Sequence, residues 1–265
     1  MKNNKINELA HLFIQYQIYS KDCYDSYSPV SVFQKEFPQN YYAKDLEIFI
    51  SQQNYESIQR GADLPWWGKK YFTKEINYRV MVISQDSLAK DAGSIVFAAH
   101  FFPPELDFDR YQKYYPQYIN EMGVKKYFSP NKLRKVIDQF IEWGIDFDFL
   151  YITDASKVYK EGSWKDKDFD KTKSKKLLEL EIEFCKPDLI ILLGAQPLNL
   201  LDKTKNYNSI IESGKSILVN DKKCVVAPFF IGNGPAGNKN GRGFKKRLEI
   251  ASNLIKIFFN QGFSL

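Results

Sequence analysis

Short apolar runs that stop abruptly at polar or small residues constrain this chain more than any other feature. Val80 to Ile83 ends in Ser84-Gln85-Asp86-Ser87, Ile95-Val-Phe-Ala-Ala99 ends at His100, and Phe149-Leu-Tyr-Ile-Thr153 ends in Asp154. Leu189-Ile-Ile-Leu-Leu193 ends in Gly194-Ala-Gln-Pro197. Runs of this length and composition read as buried strands. Helix-like stretches lie between them. Pro130 to Trp143 is amphipathic, with Leu133, Ile137, Phe140 and Ile141 expected on one face, and Gly144 stops it. A second helix runs from Leu177 to Cys185, and a third follows the Gly194 turn through Leu201. Ser216 to Val219 and Lys223 to Val226 flank Asn220-Asp221 as a hairpin or strand-loop-strand element. The last helix, Phe244 to Phe259, carries Leu248, Ala251, Leu254, Ile255 and Phe258 as its buried stripe. This alternation predicts an α/β fold, a central and mostly parallel sheet flanked by helices.

Ahead of that domain, Leu9, Leu12, Phe13 and Tyr16 recur at helical spacing, as do Leu46, Phe49 and Ile50. The expected organisation is an N-terminal helical extension over residues 1–70 and an α/β domain over 71–265. Trp66-Trp67, beside a Pro and a Gly, is either a stacking platform or a core plug, and the plug is the commoner use. The three cysteines (Cys23, Cys185, Cys224) have no paired metal spacing, and the only histidines are His11 and His100, so neither a metal nor a cofactor is expected. The N-terminus has no apolar signal core and no run approaches a membrane span. A cytoplasmic monomer with no membrane partner is the expectation.

In open α/β sheets ligands bind outside the carboxyl ends of the strands. The candidates there are Gln85-Asp86, Asp154, Gly194-Ala-Gln196 and the Gly/Asn-rich loop from 227 to 243. Ser and Asp are also ordinary turn residues, and Asp154 has a plainer reading as a cap. The formal net charge of +6 suits a polyanion if the charge is clustered. Lys245, Lys246 and Arg247 open the last helix, where cations oppose the helix dipole, and an external anion would explain them.

As a set, these strand ends resemble the uracil-DNA glycosylase superfamily. Ser84-Gln85-Asp86-Ser87 resembles the family's first motif, Gly-Gln-Asp-Pro, and Ala92-Gly-Ser-Ile-Val-Phe97 its base-stacking segment. Tyr151-Ile-Thr-Asp154 is similar to the strand that ends in the base-reading Asn, and Lys186-Pro-Asp-Leu-Ile-Ile-Leu-Leu-Gly-Ala195 to the Lys-Pro…Leu-Gly-Ala strand. Ala227-Pro228 falls where His-Pro-Ser belongs, and Gly241-Arg-Gly-Phe244 resembles the Arg-Gly-Phe that follows it. The match spans residues 75–262 in the family's order. The resemblance implies a monofunctional DNA glycosylase in which Asp86 positions water and Gln85 helps hold the base's O2. Phe97 would stack on the flipped base and Asp154 would read its pairing edge. Ile231 or Phe230 would wedge into the vacated stack, while Lys239, Arg242, Lys245, Lys246 and Arg247 grip phosphates. The implied partner is DNA, double- or single-stranded.

The departures shape the expected substrate. Leu88 stands where many uracil enzymes carry a bulky Tyr that excludes C5 substituents. Asp154 replaces the Asn; an ionised carboxylate only accepts hydrogen bonds, which suits the amine of cytosine and opposes the O4 of uracil, while a protonated one could also donate to N3. A register shift of one residue would put Thr153 in the reading position instead. Ala227 replaces the His that donates to the departing base, and Asn233, Asn238, Asn240 or Lys239 would have to substitute. The expected activity is therefore release of a cytosine-type base, one modified at C5 included; anti-phage defence as its setting is implied by family-level analogy and not by these residues. The alternatives are a catalytically silent nucleic-acid-binding protein on the same fold and a uracil-DNA glycosylase in base excision repair. A small phosphate ligand at the Gly-rich loop ranks last, because neither Gly-x-Gly-x-x-Gly nor a P-loop follows a strand.

Overall fold

A computed structural model of the protein describes residues 65–85, 130–155, 170–229 and 243–261, with isolated positions at 8, 12, 109, 112, 113 and 116. The elements in chain order begin with β1 (Trp66–Trp67), β2 (Val80–Ser84), α1 (Pro130–Glu142), β3 (Leu150–Asp154) and α2 (Lys171–Cys185). They continue with β4 (Leu189–Leu193), α3 (Ala195–Leu201), α4 (Tyr207–Ser213), β5 (Ile217–Val219), β6 (Lys222–Ala227) and α5 (Phe244–Asn260). A 3-10 turn over Phe147–Phe149 leads into β3.

The strands form one mixed six-stranded sheet in the order β1-β3-β2-β4-β6-β5. The central four pair in parallel, and the edge strands β1 and β5 pair antiparallel to their neighbours. The expected α/β fold with helices around a sheet is thus present. Every residue of β2, β3 and β4 is buried, which is why these strands read as unbroken apolar runs. The hairpin between β5 and β6 turns on Asn220 and Asp221, both at positive φ, as two-residue turns of this kind require.

Trp66 and Trp67 are 1% and 8% exposed, so they plug the core and are not a stacking platform. Trp67 stacks on Tyr151 at 6.1 Å, and β1 pairs with β3, so the sheet reaches back to residue 66. Gly68 permits this approach: a Cβ there would lie 2.0 Å from the carbonyl oxygen of Phe147.

In parallel pairs the register partners share a face of the sheet. Val82 and Ser84 therefore lie with Ile152 and Asp154, while Ile83 lies with Thr153 on the other side. The first face is crossed by α5, where Lys223 sits over the Phe258 ring at 5.4 Å. The indole nitrogen of Trp143, just beyond α1, donates to Ser252 Oγ of α5 at 2.8 Å. The second face receives α2, whose Glu181 accepts from Tyr151 and Thr153.

Two expectations about helices need correction. Ile141 is 60% exposed and does not join the buried face of α1. The short helix α4, capped by Asn206 and closed by Gly214 at positive φ, has no counterpart in the sequence-based expectation. The second apolar run, Ile95 to Ala99, lies outside the described residues, as does nearly all of the N-terminal region.

Candidate functional site

Because β2, β3, β4 and β6 run the same way, their carboxyl ends meet at one edge of the sheet. The chain leaves β2 for β3 on one side and leaves β4 for β6 on the other, so the connections diverge between β2 and β4. Such a divergence opens a crevice, the usual ligand site of an open α/β sheet. Backbone bonds hold the strand ends together beyond the ladder proper. The Ala155 amide donates to the Ser84 carbonyl at 2.9 Å, and the Gly194 amide to the Ala227 carbonyl at 2.8 Å.

One polar pair stands at this edge. The Ser84 hydroxyl donates to Asp154 Oδ1. Ser84 is 2% exposed and Asp154 0%, and they are register partners on adjacent strands. Asp154 is the last residue of β3, so it is neither a helix cap nor a loop residue. Thr153 lies on the opposite face, bonded to Glu181, and does not take the Asp154 position.

Gln85 follows directly as a half-buried residue beyond β2. Ala227 shares the Asp154 face through its pairing with Leu193, but its buried methyl offers no donor. Gly194, at φ +86°, occupies a backbone region that favours glycine, and Phe229 packs against it, 3.6 Å from where a Cβ would stand.

Behind this edge lies a second buried polar cluster. Glu181 Oε1 accepts from the Tyr151 phenol and the Thr153 hydroxyl, each at 2.8 Å, and Glu181 is fully buried. Burial pushes the Tyr151 phenol well above its ordinary range, with Cys185 and Glu181 adding to it, so Tyr151 stays a donor. Ser174 of α2 adds a bond to the Ala155 carbonyl at 2.8 Å. Ser84, Glu181 and Phe229, which the structure brings to or behind this edge, were not among the expected site residues. Glu181 had a visible signal, a lone acid among Leu177, Leu178, Ile182 and Cys185 on one helical face.

The basic group at the start of α5 divides. Lys245 and Lys246 are exposed. Arg247 is half-buried and partnered within the chain: its Nε donates to Glu212 at 2.9 Å, its Nη2 donates to the same oxygen, and its guanidinium lies over the Tyr207 ring at 5.9 Å. Through this pair Arg247, expected to grip a phosphate, ties α5 to α4. Asp86, Leu88, Phe97, Ile231, Asn233, Lys239 and Arg242 lie outside the described residues.

Elsewhere, a groove lined by Pro187, Asp188, Ile217, Leu218, Lys222 and Lys223 lies at the amino ends of β4 and β6, away from this edge. Cys185 and Cys224 are buried thiols outside any disulfide, and burial pushes the Cys224 thiol up to about 12. Among the described residues no group of His, Cys, Asp and Glu could hold a metal ion, and no helix is long and apolar enough to cross a membrane. In comparisons with known proteins, no family model and no curated protein matches the chain.

Proposed function

We propose that the chain is a monofunctional DNA glycosylase of the uracil-DNA glycosylase superfamily that releases a flipped cytosine-type base, one enlarged at C5 included. The observation that carries this reading is the Ser84–Asp154 pair. A fully buried carboxylate at a strand's carboxyl end is held by the residue that leads directly into Gln85-Asp86. The reading needs the base-reading and water-positioning corners side by side, and it is supported by the pairing of Asp154 with Ser84, two residues before Asp86 in the sequence. Keeping a carboxylate out of water is costly, so such groups concentrate where function requires them. The run of four parallel strands, β3-β2-β4-β6, accommodates the superfamily's motif order.

The target nucleotide leaves the duplex and stacks on Phe97. Asp86 positions a water whose oxygen bonds to C1′ as the C1′–N1 bond breaks. The bonding electrons leave with the base, the base takes one water proton, and the products are an abasic sugar and the free base. Asp86 also offsets positive charge on the sugar, and the backbone amides of Gln85 and Asp86 face the base's O2. Asp154 accepts from the exocyclic amine, and Leu88 leaves space at C5. Asn233 stands in for the missing His, Ile231 fills the vacated stack, and Lys239, Arg242, Lys245 and Lys246 contact phosphates. Anti-phage defence in the cytoplasm is the setting that fits a modified cytosine.

A second reading, a silent nucleic-acid binder, is favoured by Ala227 in place of the motif His and by the altered first motif, with Ser84 for its Gly and Ser87 for its Pro. Loss of one preorganised donor costs about 2.7–4 kcal/mol of transition-state stabilisation in other enzymes. Incubation with duplexes containing uracil, cytosine, 5-hydroxymethylcytosine or its glucosylated form, followed by a test for abasic sites, separates the readings. Release of a cytosine-type base that is lost in Asp86→Ala is expected. Release of uracil alone would overturn the assigned base. DNA binding retained in Asp86→Ala, with no release from any duplex, would favour the silent binder.

A further inference from the structure

We infer that Ser84 determines specificity with Asp154, the two reading the target as one acceptor pair that selects a base bearing an exocyclic amine; this rests on the glycosylase reading. Ser84 is fixed twice to the end of β3. Its carbonyl accepts from the Ala155 amide at 2.9 Å, and its hydroxyl donates to Asp154 Oδ1. A serine hydroxyl has a single proton. With that proton committed to Asp154, the serine oxygen turns only lone pairs toward anything else. With Asp154 ionised, the form the glycosylase reading uses, serine and carboxylate together act as acceptors.

On the same face, β4 ends in Leu193 and β6 in Ala227, neither of which has a polar side-chain atom. A carbonyl brought to this pair meets repulsion, while an amine brings two N–H groups to two neighbouring oxygens. In the superfamily motif that Ser84-Gln85-Asp86 resembles, this position is Gly, which has no hydroxyl. The device belongs to this chain's own residues.

Ser84 acts through the orientation it imposes on Asp154 as well as through its own oxygen, so the readout is a selectivity. Single-turnover release is measured from duplexes carrying one uracil, cytosine or 5-hydroxymethylcytosine, with wild type, Ser84→Ala, Ser84→Thr and Asp154→Asn. Wild type is expected to favour the amine-bearing bases. Ser84→Ala should narrow the ratio of single-turnover rates between 5-hydroxymethylcytosine and uracil about tenfold, the equivalent of one hydrogen bond's worth of discrimination. Ser84→Thr keeps a hydroxyl and should restore the ratio, and thermal unfolding midpoints should stay close together. Asp154→Asn, which supplies a donor, should turn the preference toward uracil, and it tests the pair even where Ser84→Ala does not fold. A ratio that a folded Ser84→Ala leaves unmoved, or rates that fall equally on every duplex, would overturn the pair and leave the glycosylase reading standing. Release of no base by wild type would overturn that reading first, and the pair with it.

Discussion

Tyr71 concentrates an unusual cost in one atom. Its side chain is 0% exposed, and its phenol oxygen has no hydrogen-bond partner among the described residues. Burial, followed by the neighbouring Cys185, pushes the phenol well above its ordinary range. An unsatisfied buried donor costs about 1–3 kcal/mol, whereas an apolar group of the same shape costs nothing of the kind. Tyr71→Phe is therefore expected to raise the urea midpoint at neutral pH, by a stability gain of about 1 kcal/mol. The pH dependence has a definite sign. A folded value above the unfolded one means the phenol's contribution is complete below about pH 10 and is lost as pH rises from there toward the folded value. Stability measured from pH 8 to pH 11 should fall less steeply in Tyr71→Phe, and identical slopes would refute a neutral, buried phenol. At this scale the sequence was partly legible. The burial of Trp66 and Trp67 follows from their size and setting, but Ser84 and Asp154 stand 70 positions apart and their contact depends on strand register. No local pattern encodes a register.

Between elements, the tie that matters most to the candidate site joins α2 to β3. Glu181 accepts two buried hydroxyls from β3, and Ser174 holds the Ala155 carbonyl one residue beyond Asp154. Glu181→Ala leaves both hydroxyls without their acceptor and opens a cavity, for an expected loss of about 3–5 kcal/mol. Glu181→Gln keeps an accepting oxygen and should lose less. Denaturant midpoints in the order wild type, Gln, Ala check this, and an Ala variant as stable as wild type would remove the tie from the account. The elements themselves were the most legible part of the chain, because strands buried on both faces carry unbroken apolar runs. The exceptions have local causes. In α1 the stripe Leu133, Val136, Ile137 and Phe140 continues to Trp143, which is fully buried, and this rotates Ile141 off the face. In α4 only Tyr207 and Ile211 are buried, too few positions to establish a period, although the Asn206 cap and Gly214 stop were in plain view.

Over the whole molecule, the question is how an excess of +6 is placed. The strand order, in which the β3-to-β4 connection passes over β2, was not legible, since it is set by how helices pack on the two faces. That order brings Gln85, Asp154 and Ala227 to one edge. The basic run that opens α5 shows how placement changes meaning. By sequence Lys245, Lys246 and Arg247 are equivalent cations at an unfavourable helix end. In the fold Arg247 is 15% exposed and bound to Glu212, whereas the two lysines face outward. The proposed DNA contact therefore belongs to the lysines. Each phosphate neutralised by a cation adds about 0.9 to the slope of log affinity against log salt. Replacing Lys245 and Lys246 with Ala should weaken binding to duplexes of any sequence and lower that slope by about 1–2. Arg247→Ala should lower the unfolding midpoint instead, through loss of the tie to α4, and leave the slope nearly unchanged. Titration of a labelled duplex by fluorescence anisotropy at several salt concentrations measures both. If the arginine variant carried the larger change in slope, the guanidinium would have to leave Glu212 for the phosphate, and the division drawn between these cations would be wrong.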